Sequence, residues 1–127
     1  MRVFKTKWFR RFARKEKISD KTLCEAIERA EQGLIDADLG DNIIKQRISR
    51  PNEGRSGGYR TIIAFRVKDL SFFIFGFAKS GHDNLKPDEL KEYKEAAIEL
   101  LAQSDEIIQV MMDNKELYEV NCDGDHQ

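Results

Sequence analysis

The run Phe72–Ala78 (FFIFGFA) limits the folds open to this chain more than any other stretch. It lies within a strand reading of Leu70–Ser80 and is apolar on both of the faces that a strand presents. Such a strand belongs in the middle of a sheet, with a layer of structure against each side. Its four phenylalanines therefore read as core and not as a platform for stacking bases. The run is far too short to cross a bilayer, which takes about 20 apolar residues as a helix.

Two more strands lead into it, Ile43–Ser49 and Gly58–Val67. Ser49–Gly58 (SRPNEGRSGG) is a long connection, and Lys68-Asp69 reads as a tight two-residue hairpin turn. Ahead of the strands, Arg2–Phe4 is either a short first strand or an entry segment. Lys5–Glu16 then carries a helical stripe of Trp8, Phe9, Phe12 and Ala13. Ser19 or Asp20 caps a second helix, with Leu23, Ala26, Ile27, Ala30 and Leu34 on its stripe and Gly33 at its end. Asp36–Asn42, with Gly40 and several Asp and Asn residues, reads as a loop. Beyond the strands, Pro87 or Asp88 opens a third helix with Leu90, Tyr93, Ala97, Leu100 and Leu101 inward. Ser104 caps a shorter fourth with Ile107, Ile108, Met111 and Met112. Lys115–Asn121 alternates, as an edge strand or a docked tail, and Cys122–Gln127 reads as frayed.

The expected class is α+β: a small antiparallel sheet, two N-terminal helices packed on it as a pair, and C-terminal helices. One domain suffices for 127 residues. Residues 1–103 form its body and 104–127 an acidic C-terminal extension of that same domain. Residues 1–20 are basic and broken by charges, with no signal-peptide core. Cys24 and Cys122 stand far apart, without partners at metal spacing, as in a reducing cytoplasm. The expected location is cytoplasmic, away from membranes.

A formal net charge of −1 hides a division. Residues 1–86 hold 19 Lys/Arg against 11 Asp/Glu, whereas residues 87–127 hold 3 against 12. Within 43–79 alone, eight cations (Lys45, Arg47, Arg50, Arg55, Arg60, Arg66, Lys68 and Lys79) meet two carboxylates, Glu53 and Asp69. Strand parity puts Ile44 and Ile48 on one face of Ile43–Ser49 and Lys45 and Arg47 on the other. Two cations side by side repel, so fold alone does not explain them, and an anionic ligand does.

HExxH, P-loop and Gly-x-Ser-x-Gly patterns are absent from the sequence, as is any Cys/His cluster, so no metal or cofactor is expected. One reaction needs only cations and a weak base: RNA cleavage by its own 2′-hydroxyl. The protein orients that nucleophile, stabilises charge on the phosphorane-like transition state and moves two protons. Arginine's planar fork suits phosphate, and a lysine crowded by cations is easier to deprotonate.

Three segments in order (Lys45-Gln46-Arg47, Gly57-Gly58-Tyr59-Arg60-Thr61-Ile62-Ile63 and Gly76-Phe77-Ala78-Lys79-Ser80) resemble the RelE/HigB family of bacterial toxins, within the RelE/ParE superfamily. The flanking LIDADLG and FARKEKIS look like its HigB-like branch, and the likeness reaches about Ala102. It implies a ribosome-dependent endoribonuclease (an mRNA interferase) that cuts mRNA and so inhibits translation. A cognate antitoxin, expected to be a helix-turn-helix protein, would neutralise it. Lys45 would then be the general base, Arg47 a phosphate ligand, Arg60 the stabiliser of charge at the scissile phosphate, and Lys79 the cation ending the next strand. Where the best-known members carry an arginine just after this lysine, Ser80, Gly81 and His82 follow. His82 either protonates the leaving oxygen or is a solvated loop residue. No clear equivalent of the tyrosine some members place near the last helix is visible, since Tyr93 sits on a buried stripe.

Arg50, Arg55 and Arg66 are candidate RNA contacts, although Arg66 and Lys68 also suit the solvated end of a hairpin. Arg10, Arg11, Arg14 and Lys15 make a basic helical face, either docked on ribosomal RNA or solvated. Tyr59 reads as a sheet residue. Two other functions use the same cations: a ParE-like inhibitor of DNA gyrase, and a non-catalytic RNA- or ribosome-binding module. The acidic extension could also fold back toward the cationic face and moderate activity.

Overall fold

The computed structural model describes residues 1–50, 58–78 and 85–122. Among them run six strands: β1 (Arg2–Thr6), β2 (Ala37–Gly40), β3 (Ile43–Ile48), β4 (Tyr59–Arg66), β5 (Leu70–Ala78) and β6 (Leu117–Val120). Four helices accompany them: α1 (Lys7–Glu16), α2 (Asp20–Glu31), α3 (Pro87–Leu101) and α4 (Asp105–Asp113). The strands form one sheet in the order β2-β3-β4-β5-β1-β6.

The fold is α+β, but the sheet is mixed. β1 runs parallel to β5 and antiparallel to β6, and the other neighbours are antiparallel. β1 is inserted between β5, the last strand of the meander, and β6, with two helices and three strands between β1 and β5 in the chain. β5 thus has neighbours on both sides and a core on each face. On one face Phe9, Ala13, Leu23, Ala26, Ile27 and Ala30 of α1 and α2 bury against Val3, Ile44, Ile48, Tyr59, Ile63, Phe65 and Phe73. On the other, Ala97, Leu101 and Ile108 of α3 and α4 bury against Phe4, Ile43, Ile62, Ala64, Phe72, Phe77 and Leu117.

A bulge in β5 decides which phenylalanines face which core. Ile62 pairs with Phe75 while Ile63 pairs with Phe73, so Ile74 is an extra residue. The added residue reverses the alternation beyond it. Phe75 and Phe77 therefore join the α3 face, and Gly76 turns toward α1. The Thr6 hydroxyl donates to the Ile74 carbonyl oxygen at 3.3 Å and accepts from the Phe9 N–H at 3.2 Å. One side chain thus caps α1 and anchors it beside the bulge.

Several local expectations change. Ala37–Gly40 is an edge strand and not a loop. Asp41 and Asn42, at φ of 52° and 63°, make the left-handed two-residue turn that joins it to β3, so the polar residues mark a hairpin. The β4–β5 turn spans Val67–Asp69 with Lys68 at φ 60°, one residue longer than the sequence suggests. α1 starts at Lys7 because Lys5 and Thr6 belong to β1. Leu34 is exposed beyond the end of α2, and Ile107 on α4 is exposed while Ile108 is buried. Lys115–Asn121 resolves as an edge strand, β6.

Cys24 and Cys122 are bonded to each other across 98 residues. Far apart in sequence, they are each other's partner in the fold, which removes the argument for a reducing compartment that rested on their separation. The bond ties α2 to the chain just after β6. No helix of the described residues is long and apolar enough to cross a membrane.

A Cβ on Gly76 would lie 2.6 Å from Cε2 of Phe12 and 3.1 Å from Cε2 of Phe9. Gly76→Val should overpack this interface and lower unfolding free energy by about 1–3 kcal/mol, read from urea denaturation.

Candidate nucleic-acid interface

Parity on β3 holds in three dimensions: Ile44 and Ile48 enter the α1/α2 core, and Lys45 and Arg47 share the opposite face with Ile43. On β4, Arg60 lies on that same opposite face, with Ile62 and Ala64. Arg47 pairs directly with Arg60, and Arg60 with Phe77. The adjacent row is Lys45, Ile62 and Phe75. Directly opposed residues on a sheet hold their Cβ atoms about 4.5–5.5 Å apart, and like charges so placed destabilise it. Backbone register therefore sets Arg47 and Arg60 side by side against their mutual repulsion.

The protein relieves part of that repulsion with a carboxylate the sequence reading placed in a loop. Asp36 accepts from the Arg47 backbone N–H at 2.7 Å and from its guanidinium at 3.1 and 3.2 Å. Asp36 is held there by Gln46, which is fully buried on the α2 side of β3. The Gln46 amide donates to the carbonyl oxygens of Ala26 and Leu34 and accepts from the Asp36 N–H. A buried amide needs such partners, and here they join α2, the start of the β2 hairpin and β3. Arg29, in the last turn of α2, donates to the Arg47 carbonyl oxygen. Gln46 stands between Lys45 and Arg47 in sequence, and its inward parity was the signal that could have marked it.

Tyr93 of α3 stands over the Lys45–Ile62–Phe75 row, its ring 5.0 Å from that of Phe75. Desolvation, with Glu89 and Glu92 nearby, pushes its phenol up to about 12. It is half-buried and not sealed in the core, and it keeps its proton across the neutral range.

The other expected residues scatter. Arg50 lies over the Tyr59 ring at 5.5 Å, and the Tyr59 hydroxyl donates to Glu16 at 2.8 Å. Arg66 is at the far end of β4, about 20 Å from Arg60 at roughly 3.4 Å per residue, and pairs with Asp69. Arg55, Lys79 and His82 lie outside the described residues. The acidic segment goes to the opposite edge: β6 is four strand spacings, about 19 Å, from β3. There Glu119 and Asp105 meet Arg2, so the described part of the extension does not fold back on the cationic row.

This sheet and its cationic face define a small α+β protein suited to an anionic ligand. The chain matches the family model described as the RelE toxin of the RelE/RelB toxin–antitoxin system over residues 1–120 and belongs to that family. No curated protein and no solved structure matches it. Membership makes it a toxin of a toxin–antitoxin pair and implies a cognate antitoxin.

Asp36→Ala should free the Arg47 guanidinium. The variant is expected to elute from immobilised heparin at higher salt than wild type, with a stability loss of about 1 kcal/mol or less, as for exposed ion pairs. Stability should also fall as pH rises from about 10 to about 12. In that window an unfolded tyrosine ionises while Tyr93 does not, so the unfolded state binds fewer protons. Tyr93→Phe should remove this slope and one late tyrosinate transition in ultraviolet absorbance.

Proposed function

We propose that the protein is a HigB-like toxin that cleaves mRNA on the ribosome without a metal. Attack of the ribose 2′-oxygen on phosphorus expels the 5′-oxygen, leaving a 2′,3′-cyclic phosphate and a 5′-hydroxyl. Lys45 takes the 2′-proton, Arg47 and Arg60 grip the phosphate oxygens, and the cation Lys79 assists. His82 returns a proton to the leaving oxygen. What carries the reading is the Arg47–Arg60 pair, in direct register on one face beside Lys45. Two guanidiniums so placed can bracket one phosphate and gain strength as charge accumulates on it. Tyr93, protonated above the adjacent row, is a further hydrogen-bond donor on that face.

The test is induction of wild type and Arg60→Ala in bacteria with mapping of mRNA 5′ ends. Wild type should arrest growth and generate new 5′-hydroxyl ends inside translated frames. Arg60→Ala should cut at least about 100-fold less, as on loss of one transition-state donor. Arrest without cuts would instead assign the ParE-like, gyrase-directed activity, and binding to ribosomes without arrest a non-catalytic module.

A further inference from the structure

We propose that Trp8 is a stacking contact for an unpaired RNA base, placed beside the phosphate-binding row; this rests on the RNA-cleaving reading above. Trp8 sits in the first turn of α1 and is 39% exposed, unusual for a large ring with close aromatic neighbours. It lies 4.5 Å from the Phe75 ring and stacks on Phe12 at 5.4 Å with 17° between planes. Its position follows from strand lengths. β1 pairs with β5 only as far as Lys5 opposite Phe73, so the next residues of β5 run on past the end of that pairing. α1 begins at this point and lays Trp8 over the edge, against the phenylalanine that the bulge turned outward.

Ring contacts lead from there to the cations. Phe75 is 6.0 Å from Phe77, and Phe77 is the register partner of Arg60. Contacts through the buried Phe77 and the half-buried Phe75 thus join the Arg47–Arg60 row to the exposed ring of Trp8.

Charge selects the occupant. Residues 1–17 contain eight Lys/Arg and one carboxylate, Glu16. Arg11 and Lys15, exposed three and seven residues after Trp8, follow it along the same face of the helix, and Lys7, the residue before it, is also exposed. Among the described residues no carboxylate pairs with any of the three. A partly exposed indole among cations that pair with no described carboxylate fits a base and its neighbouring phosphates, the combination by which proteins hold single strands.

Trp8 is the only tryptophan in the chain, so its emission reports on this site alone. The full-length protein would be titrated at low salt with a short single-stranded RNA carrying 2′-O-methyl groups, which block cleavage. Binding would be followed in parallel by anisotropy of the same RNA bearing a label. A matched abasic oligonucleotide supplies phosphates without bases. Saturable change in tryptophan emission with RNA, and none on binding the abasic strand, is the expected result. Trp8→Ala should weaken RNA binding about tenfold, Trp8→Phe by less, and neither should alter abasic binding. RNA bound by anisotropy with unchanged emission would overturn the inference and leave the RNA-cleaving reading standing; it would point to a protein partner at Trp8. Absence of RNA binding would overturn the inference alone, since the cleavage reading is tested on ribosomes by the mapping of mRNA 5′ ends. The emission change is read in wild type, so it does not depend on either variant folding.

Discussion

Everything in this protein is arranged around a strand that must be dry on both faces. β5 carries too much aromatic surface to expose, so it needs neighbours on both edges and helices above and below. The chain supplies them from opposite ends: β1, α1 and α2 from the N-terminal side, α3 and α4 from the C-terminal side. Two cores back to back follow, each built from alternate residues of β3, β4 and β5. The extra residue at Ile74 then shifts the last part of β5 by one face, which brings Phe75 and Phe77 alongside the arginines.

The cationic face is a consequence of that register. Ile43, Ile62 and Ala64 must face the α3 core, and alternation then puts Lys45, Arg47 and Arg60 on the same side. Repulsion between Arg47 and Arg60 is offset by burial elsewhere along the same strands and by the Asp36 clamp. The clamp is positioned through Gln46, whose buried amide links α2, the β2 hairpin and β3. Because Asp36 already occupies Arg47, an arriving phosphate must compete for that guanidinium, which tempers the strength of the row without removing it.

Family membership and geometry speak to different levels. The match over residues 1–120 identifies a toxin with a cognate antitoxin and includes α4 and β6. Those two elements are structural members of the domain: Ile108 and Leu117 enter one core and Val120 the other. The acidic charge there is spent on the β1 edge, on Arg2, well away from the cations of β3 and β4.

Local pattern was enough for most elements and for the pairing of faces. The stripe of Phe9, Phe12 and Ala13, the caps at Ser19 and Ser104, and the parity of Ile44 and Ile48 against Lys45 and Arg47 all depend on neighbours a few residues apart. The sequence by itself therefore determined an α+β chain with cations gathered on one side of a strand, and a recognisable family order of motifs. It did not determine the parallel insertion of β1, the bulge at Ile74, the Cys24–Cys122 bond or the meeting of Asp36 with Arg47. Nor did it place Trp8 against Phe75. Each of these joins residues from separate elements, and only the closing of the sheet and the packing of helices on it brings such groups within contact distance.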